Sequence, residues 1–381
     1  MRASVVINAL VAAIVGFGGT LALIIAAANA LGADRSQTAS WVSAICIAMA
    51  METAFLSWRT KMPVITAWST PGAALIAAST GFSMAEGVGA FLIAGLLLVL
   101  TGIVTPLTRA IAAIPMPVAS GMLAGVIIVI VTGGLKAAGA DPVLLVPLAA
   151  LFLAARLWNP SLAVLAVLAI GAIAAFAMGR AGPLPVPEMS ELVLTWPEFS
   201  WPALFGLALP LWLVTMASQN LSGLAVLRAA GYHPAPGLLI GVTGLISVLT
   251  APFSAHSTNL AAISAAICTG PDTHPDPAKR WLTGPFYAAA YLVFAVFGAS
   301  LVALFAALPS GLIALVAALA LLPALGNALG IALSHEAGRF AAITSFSVTA
   351  SGIVLASVGS AFWGLMAGLI VLGLEHFKKT K

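Results

Sequence analysis

Long apolar runs separated by short polar breaks extend along the whole chain. Most runs are roughly 15–25 residues long, the length that a helix needs to cross a bilayer, and the period-two alternation of a membrane β-barrel is absent. The pattern predicts an all-α, polytopic membrane protein. With boundaries good to about ±4 residues, the predicted segments are 4–30, 39–57, 70–80, 84–106, 117–136, 142–155, 160–179, 203–228, 235–250, 258–269, 280–307, 310–332, 338–357 and 360–376.

A polar, proline-rich stretch, GRAGPLPVPEMSELVLTWPEFSWP at 179–202, divides the fourteen segments into seven and seven. It contains Glu188, Glu191 and Glu198 together with several prolines, so it cannot span a membrane. We predict an exposed linker loop over 181–202.

Composition supports a membrane protein. The chain is 62% hydrophobic and 7% charged, whereas soluble domains are about 45–50% apolar and about 25% charged. The first apolar stretch, 3–31, resembles a signal peptide at its ends. It is about 28 residues long, against about 7–15 for the apolar part of a signal peptide, so we expect a retained first membrane helix.

The basic residues predict the orientation. The net charge of +4 indicates which loops face the cytoplasm rather than an acidic partner, because cytoplasmic loops of membrane proteins are enriched in Lys and Arg. If the N-terminus is cytoplasmic and the spans alternate in direction, twelve basic residues lie on the cytoplasmic side and three on the outside. This bias predicts an even number of spans, with both termini in the cytoplasm. Twelve spans, as well as fourteen, would give an even number. The inside set is Arg2, Arg59, Lys61, Arg109, Arg156, Arg228, Lys279, Arg280, Arg339, Lys378, Lys379 and Lys381, and the outside set is Arg35, Lys136 and Arg180.

The two halves resemble each other at an offset of 188 residues, at which Ser69 and Thr70 match Ser257 and Thr258. Seven segments per half would make the repeats inverted, an arrangement common in secondary transporters, which bind substrate at the repeat interface.

The sequence TAWSTPGAALIA at 66–77 begins a helix in the middle of an apolar region. Thr70 is a suitable N-cap, Pro71 suits the first helical position, and Gly72 permits close approach of a ligand to the backbone. Ser257 or Thr258 is expected to cap a matching short helix. Two helix N-termini facing each other at mid-membrane would form an anion site. The alternative is that Ser-Thr-Pro only kinks a long helix.

Further polar residues at membrane depth are candidates for binding or proton transfer. Ser218, Gln219 and Asn220 lie inside the eighth segment and contact either a ligand or neighbouring helices. His256 and Asn259 flank the expected second helix start, and an imidazole can carry a proton near neutral pH. A histidine in that place can also be a core residue with satisfied hydrogen bonds.

Glu52 is the one carboxylate well inside a span. It is a second candidate proton carrier, unless it lies at the cytoplasmic end and pairs with Arg59 or Lys61. Phe17 and Trp68 are candidates for stacking on a flat ligand, with helix packing as the alternative.

Other features predict little chemistry. Cys46 and Cys268 are expected to be small core residues, and Asp272, His274 and Asp276 are expected in a structured loop rather than a metal site. We predict no cofactor and no metal, no basic–aromatic surface for nucleic acid, and no nucleotide-binding loop that would link transport to ATP.

Three long motifs carry a resemblance to a known family: ITAWSTPGAALIAAS, MASQNLSGLAVLRAAGY and APFSAHSTNLAAISAAICTGPDTHPDPAKRW. They occur in order, and the likeness to the bacterial benzoate/proton symporter family runs over essentially the whole chain. That family is similar in fold to nucleobase–ascorbate and sulfate-type anion transporters, which have fourteen segments in two inverted repeats and bind substrate between segments three and ten.

The resemblance implies a division into core and gate domains. The first repeat covers 1–180, with a core at 1–108 and a gate at 109–180. The second repeat covers 203–381, with a core at 203–308 and a gate at 309–381.

The resemblance also implies import of benzoate or a similar aromatic carboxylate with a proton across the bacterial inner membrane. The expected proton-coupling residues are His256 and Glu52. Nucleobase carriers have carboxylates where this chain has Gln219, Asn220 and His256, and a fixed carboxylate would repel an anion. The expected substrate-binding residues are Phe17, Trp68, Ser69, Thr70, Gly72, Ser218, Gln219, Asn220, Ser257, Thr258 and Asn259.

The sequence is also compatible with other functions. A nucleobase or inorganic-anion carrier of the same fold is the alternative within transport. An intramembrane enzyme would need a nucleophile–base pair or a metal cluster at depth, which Glu52 and His256 do not supply. A channel is less consistent with repeated broken helices than a carrier is. The oligomeric state is left open, a homodimer included.

Overall fold

The computed structural model describes residues 2–104, 115–160, 162–334, 336 and 338–379. The described chain is mostly helical, with two short strands. The elements of the first half are α1 (Ala3–Ala30), α2 (Arg35–Thr60), β1 (Thr66–Trp68), α3 (Thr70–Ala77), α4 (Met84–Ile103), α5 (Met116–Ala140), α6 (Pro142–Trp158) and α7 (Ala163–Ala177).

The second half begins with a helix that contains two π-helical stretches, Leu204–Ala208 and Thr215–Asn220. A 3-10 turn, Pro277–Leu282, precedes α11. The elements are α8 (Trp201–Ala229), α9 (Pro236–Thr250), β2 (Thr258–Leu260), α10 (Ile263–Thr269), α11 (Thr283–Val296), α12 (Gly298–Ala307), α13 (Ser310–Leu333), α14 (Arg339–Ala350) and α15 (Ser360–Lys379).

Each of the fourteen predicted segments has a helical counterpart, but the helices differ in length. In the described part of the chain, eight helices are long and apolar enough to cross a membrane. The count is nine if the pair Pro277–Val296 and Gly298–Ala307, which meet at 60°, forms one span. Fourteen membrane crossings therefore stay a prediction.

Two antiparallel strands lie at the centre of the molecule. β1 pairs with β2 so that Thr66 is opposite Leu260, Ala67 opposite Asn259 and Trp68 opposite Thr258. Pairing satisfies the backbone N–H and C=O groups of both segments, as extended chain inside a membrane requires. All three residues of β2 are fully buried, so this small sheet is interior.

The second short helix corrects a prediction. Ser257 and Thr258 do not cap it, because Thr258 is in β2 and α10 begins at Ile263 after Ala262, which makes no side-chain cap. β2 begins 192 residues after β1, so the 188-residue offset is wrong by four residues here. The physical reason is that strand pairing and the contacts of the Thr258 hydroxyl outweigh a local capping signal.

The helices pack in two groups. In one, α2 packs on α11, α4 on α9, and α1 on α3, α10 and α11, all around the strand pair. In the other, α5 packs on α13 and α14, α14 on α15, and α6 on α7. The division into core and gate domains at the boundaries given above stays a prediction, and residues 105–114, which include Arg109, lie outside the described part.

The linker is mostly exposed and is fixed to one end of the bundle. Its Arg35–Glu188 ion pair measures 3.2 Å, and the backbone N–H of Glu198 donates to the carbonyl of Ala85 at 2.9 Å. Helix ends here are capped by carboxylates. Hydrogen bonds from Gln37 N–H and Ser36 lower the pKa of Asp34, and the Arg180 hydrogen bond lowers the pKa of Asp141.

Candidate functional site

α3 begins at mid-chain because Ser69 supplies a cap. Its Oγ accepts from the Gly72 N–H at 3.2 Å and from the Thr215 hydroxyl at 2.8 Å. The cap is therefore Ser69, and not Thr70, which is the first helical residue and half-buried. Pro71 occupies the second position of the helix, where a missing N–H costs nothing. Pro71 has no N–H, and the Ala73 N–H donates to the Ser69 carbonyl at 2.7 Å, so within the described residues the Thr70 N–H is the one free backbone donor at the N-terminus of α3.

One face of β2 carries polar groups without partners. Ser257 and Asn259 point to the same side, because side chains alternate along an extended chain. Both residues are fully buried. The Ser257 hydroxyl and both atoms of the Asn259 amide make no hydrogen bond within the described residues. Few buried polar groups in proteins lack partners, so this cluster is a candidate ligand site.

The opposite face of β2 contacts Glu52. The Thr258 Oγ1 lies 2.5 Å from Glu52 Oε1 and 3.0 Å from the Ser247 hydroxyl of α9. Glu52 is fully buried, its Oε2 has no partner among the described residues, and no ion pair joins it to Arg59 or Lys61. Glu52 is therefore an interior carboxyl and not part of a cytoplasmic ion pair.

His256 is fully buried and uses both ring nitrogens. The Trp41 indole N–H donates to Nδ1 at 3.0 Å, and Nε2 lies 3.1 Å from the Ser69 carbonyl oxygen. A carbonyl only accepts and an indole N–H only donates, so the network assigns the neutral tautomer with the proton on Nε2. The imidazole thus joins β2 to the N-terminus of α3.

The three polar residues of α8 face different surroundings. The Asn220 Oδ1 accepts from the Leu260 N–H of β2 at 3.0 Å, so Asn220 supports the strand. Gln219 is half-buried, and its amide makes no hydrogen bond in the described structure. Ser218 lines a cavity of about 50 Å³ beside α5 and α13 instead. The π-helical stretch Thr215–Asn220, a feature frequent at functional sites, includes all three.

Phe17 and Trp68 lie together. Their ring centroids are 5.6 Å apart, and the Phe17 ring is 4.4 Å from that of Phe294 and 6.3 Å from that of Tyr291. The Trp68 indole donates to Thr20 at 2.8 Å. These aromatic side chains form a buried cluster beside β1.

Several residues of this region were missed by sequence reasoning: Trp41, Thr215, Ser247 and Tyr287, whose hydroxyl donates to the Thr66 carbonyl at 2.9 Å. Each is a single polar or aromatic residue within an apolar helix. Such residues are common in membrane helices, and only the fold shows which of them face the strands.

The largest of the cavities described here lies elsewhere. It measures about 260 Å³ between the C-terminal end of α3, α5 and the segment that joins α14 to α15. Its lining combines the hydroxyl groups of Ser79, Thr80 and Ser360 with Phe82 and other apolar side chains.

The model of the family described as "Benzoate membrane transport protein" matches residues 1–374. The chain belongs to the benzoate membrane transport protein family. It is 38% identical over 361 residues to the inner membrane protein YdcO of Escherichia coli strain K12, covering 94% of this chain and 92% of that one. It is 33% identical over 369 residues to the benzoate membrane transport protein of Acinetobacter baylyi, covering 96% and 94%.

Two solved structures share the fold. The transmembrane domain of the cyanobacterial bicarbonate transporter BicA superposes with a TM-score of 0.60 at 14% identity, over 97% of this chain and 98% of that one. The structure of SLC26A9 superposes with a TM-score of 0.67 at 11% identity, over 98% and 66%. The family membership makes this chain a multi-pass membrane transporter and not an enzyme, and the predicted likeness in fold to anion transporters is confirmed.

Proposed function

We propose that this chain is a secondary active transporter that imports benzoate, or a similar aromatic carboxylate, together with a proton. The observation that carries the proposal is the set of buried groups without partners on β2, the Ser257 hydroxyl and the Asn259 amide, beside the N-terminus of α3. The family and the printed name of the Acinetobacter relative support benzoate as the substrate.

The carboxylate binds between α3 and β2. The positive end of the α3 dipole, together with the unpaired Thr70 N–H, favours an anion without requiring a Lys or Arg. The Ser257 hydroxyl and the Asn259 Nδ2 supply hydrogen-bond donors, and the Gln219 amide lies on the neighbouring helix with its own donors unused. The register puts Trp68 opposite Thr258, on the Glu52 face of the strand pair, so contact of the substrate ring with Phe17 and Trp68 stays a prediction.

The proton is carried by Glu52. Benzoate is an anion at neutral pH, and a negative-inside potential opposes its entry unless a proton accompanies it. A protonated Glu52 can donate to the Thr258 Oγ1, which then donates onward to the Ser247 hydroxyl or to the Thr243 carbonyl. Within the described part of the chain, an ionised Glu52 would be a buried charge with one hydrogen bond and no cation paired with it, a costly arrangement.

His256 is the other candidate carrier, and its geometry is less suitable. Its Nδ1 already accepts from the Trp41 indole, so a second proton on the ring would face an N–H group. Glu52 can gain and lose a proton without breaking such a bond. Because Thr258 contacts Glu52 from one face of β2 while Ser257 and Asn259 point to the other, one strand joins the proton and substrate sites.

The experiment is uptake of radiolabelled benzoate into proteoliposomes. We expect accumulation only with an inward proton gradient, competed by benzoate analogues and not by a nucleobase, bicarbonate or sulfate. Glu52→Gln should exchange benzoate across the membrane but fail to accumulate it, whereas the exposed linker variant Glu191→Gln should resemble the parent.

Accumulation by Glu52→Gln at the parental level would exclude Glu52 as the carrier, and the same assay on His256→Gln would then decide. Competition by bicarbonate, sulfate or a nucleobase in place of benzoate would overturn the substrate proposal.

We also propose that the protein lies in the bacterial inner membrane with both termini in the cytoplasm. The name of the Escherichia coli relative and the distribution of basic residues along the sequence support this.

A further inference from the structure

Trp41 is a fully buried aromatic residue of α2 that sequence analysis did not select. Its ring packs with two others in a triangle: the centroids are 5.2 Å from Phe91 of α4 and 5.6 Å from His256, and Phe91 and His256 are 6.3 Å apart. Its N–H is the one polar group of the side chain, and it is 3.0 Å from His256 Nδ1. The flanking aromatic contacts fix the plane of the indole, so this donor has one direction.

We propose that Trp41 is a positioning residue that holds His256 in its neutral form, with the proton on Nε2, and thereby fixes the N-terminus of α3. The Nε2–H donates to the Ser69 carbonyl. The Ser69 N–H donates to the Ser257 carbonyl at 3.0 Å. Since the Ser69 Oγ caps α3 and accepts from Thr215, every polar atom of Ser69 is engaged.

The choice of tryptophan matters because an indole N–H can donate but cannot accept. A hydroxyl, carboxyl or carbonyl in its place could accept a hydrogen bond from a cationic imidazole and would allow the ring to be charged. Trp41 excludes that state, because an imidazolium has an N–H at both positions. The ring therefore stays an uncharged connection between α2, β2 and α3.

The titratable groups on the neighbouring elements do not contact the ring. On α2, Glu52 bonds to Thr258, and Cys46 makes no hydrogen bond to the imidazole. On α4, Glu86 bonds to the Ser83 N–H and to Ser200. The described residues of α9 and α3 include none that titrates.

The proposal uses the proposed function only in taking the start of α3 as part of the substrate site. A neutral His256 keeps the shape of that site constant while the proton gradient changes, and it leaves proton binding to a separate group. An anion site that stays unchanged in acid, next to a carboxyl that carries the proton, requires the substrate and the proton to bind to different groups.

The direct test is nitrogen NMR of the full-length protein with isotope-labelled histidine, in lipid bilayers. The His256 signals are identified by their loss in His256→Gln, since the chain has five histidines. We expect an unprotonated Nδ1 and a protonated Nε2 in the parent from neutral to mildly acid pH. A cationic ring, or the opposite tautomer, in that range would overturn the proposal even if Trp41→Phe does not fold.

The variant Trp41→Phe keeps the aromatic packing and removes the donor. We expect a mixture of tautomers and a cationic His256 at mildly acid pH. Its benzoate affinity relative to the parent should rise about 3- to 10-fold on acidification from pH 7.5 to 5.5, because a cationic imidazole beside the proposed site attracts the carboxylate. The double variant Trp41→Phe, His256→Gln has no ring to charge and should lose this added pH dependence.

Trp212→Phe is the matched control. Trp212 is also largely buried, and its indole donates to the hydroxyl of Thr101 at 3.0 Å, a group that does not titrate. Its pH profile should parallel that of the parent. An equal pH shift in Trp212→Phe, or none in Trp41→Phe, would show that Trp41 only packs. The NMR result does not depend on transport, so a failure of the proposed function is distinguishable from a failure of this proposal.

Discussion

At the scale of single residues, Ser69 is the best-connected group near the proposed anion site. Its N–H, carbonyl and hydroxyl bond respectively to Ser257, His256 and the pair Gly72 and Thr215. The hydroxyl accepts two hydrogen bonds and is fully buried. Small shifts at this residue therefore change the direction of the Thr70 N–H and of the helix end that we propose contact the substrate.

Gly72 tests this dependence. A Cβ at Gly72 would lie 2.7 Å from the Ser69 Oγ and 2.4 Å from the Leu211 Cδ1, so alanine must displace the cap or the leucine. Overpacking costs about 1–3 kcal/mol, or roughly 5- to 150-fold in affinity if it falls on the bound state. We expect Gly72→Ala to weaken benzoate binding by that range in a scintillation proximity assay. Gly133→Ala is the control, because a Cβ at Gly133 would meet nothing within 4 Å, and this variant should bind benzoate as the parent does. If the parent and both variants had equal affinities, the proposed position of the carboxylate at the start of α3 would be wrong.

At the scale of elements, the two short helices show what sequence could and could not predict. The run 70–80 was predicted well because Ser69, Thr70 and Pro71 are a local signal for the start of α3. The second segment was predicted to start at 258, five residues before α10 begins at Ile263, because Thr258 is held in β2 by pairing with β1 and by its contact with Glu52. Contacts between residues about two hundred positions apart have no local signature.

The end of α10 is held by a buried cation, and this gives a prediction about stability. The Arg280 guanidinium donates to the carbonyls of Thr269 and His274, both at 2.7 Å. Arg280→Met leaves both acceptors unpaired, and we expect a loss of about 1.5–3 kcal/mol in unfolding free energy. Thermal unfolding in detergent measures it. Lys279→Met removes only an exposed contact with Asp276 at 3.9 Å and should change stability little; similar melting temperatures for both variants would refute the assignment.

At the scale of the whole molecule, hydropathy was enough to locate the long apolar helices, because burial in lipid acts on every residue of a span, whereas the number of membrane crossings stays a prediction. The two packing groups were not predictable from periodicity, since helices that are apolar all round do not show which side meets a partner. The predicted division into core and gate domains came from the family resemblance. Which loops lie at the same end of the molecule is known only from the fold. The Lys61 Nζ is 3.9 Å from the Trp281 ring centroid, which places these two loops at one end.

The absolute orientation can be tested with single cysteines. Lys61 and Lys279 lie at the end near Trp281, whereas Glu188 pairs with Arg35 at the opposite end of α2. Because the sequence predicts most basic residues on the same side as Lys61 and Lys279, we expect this end to face the cytoplasm. A membrane-impermeant maleimide should label Glu188→Cys in intact cells, and Lys61→Cys and Lys279→Cys only after permeabilisation. The native Cys46 and Cys268 are buried and should stay unlabelled, which makes the parent the control. If Lys61→Cys were labelled in intact cells and Glu188→Cys were protected, the orientation would be the reverse. If Lys61→Cys and Lys279→Cys were labelled from opposite sides of the membrane, the fold itself would be contradicted.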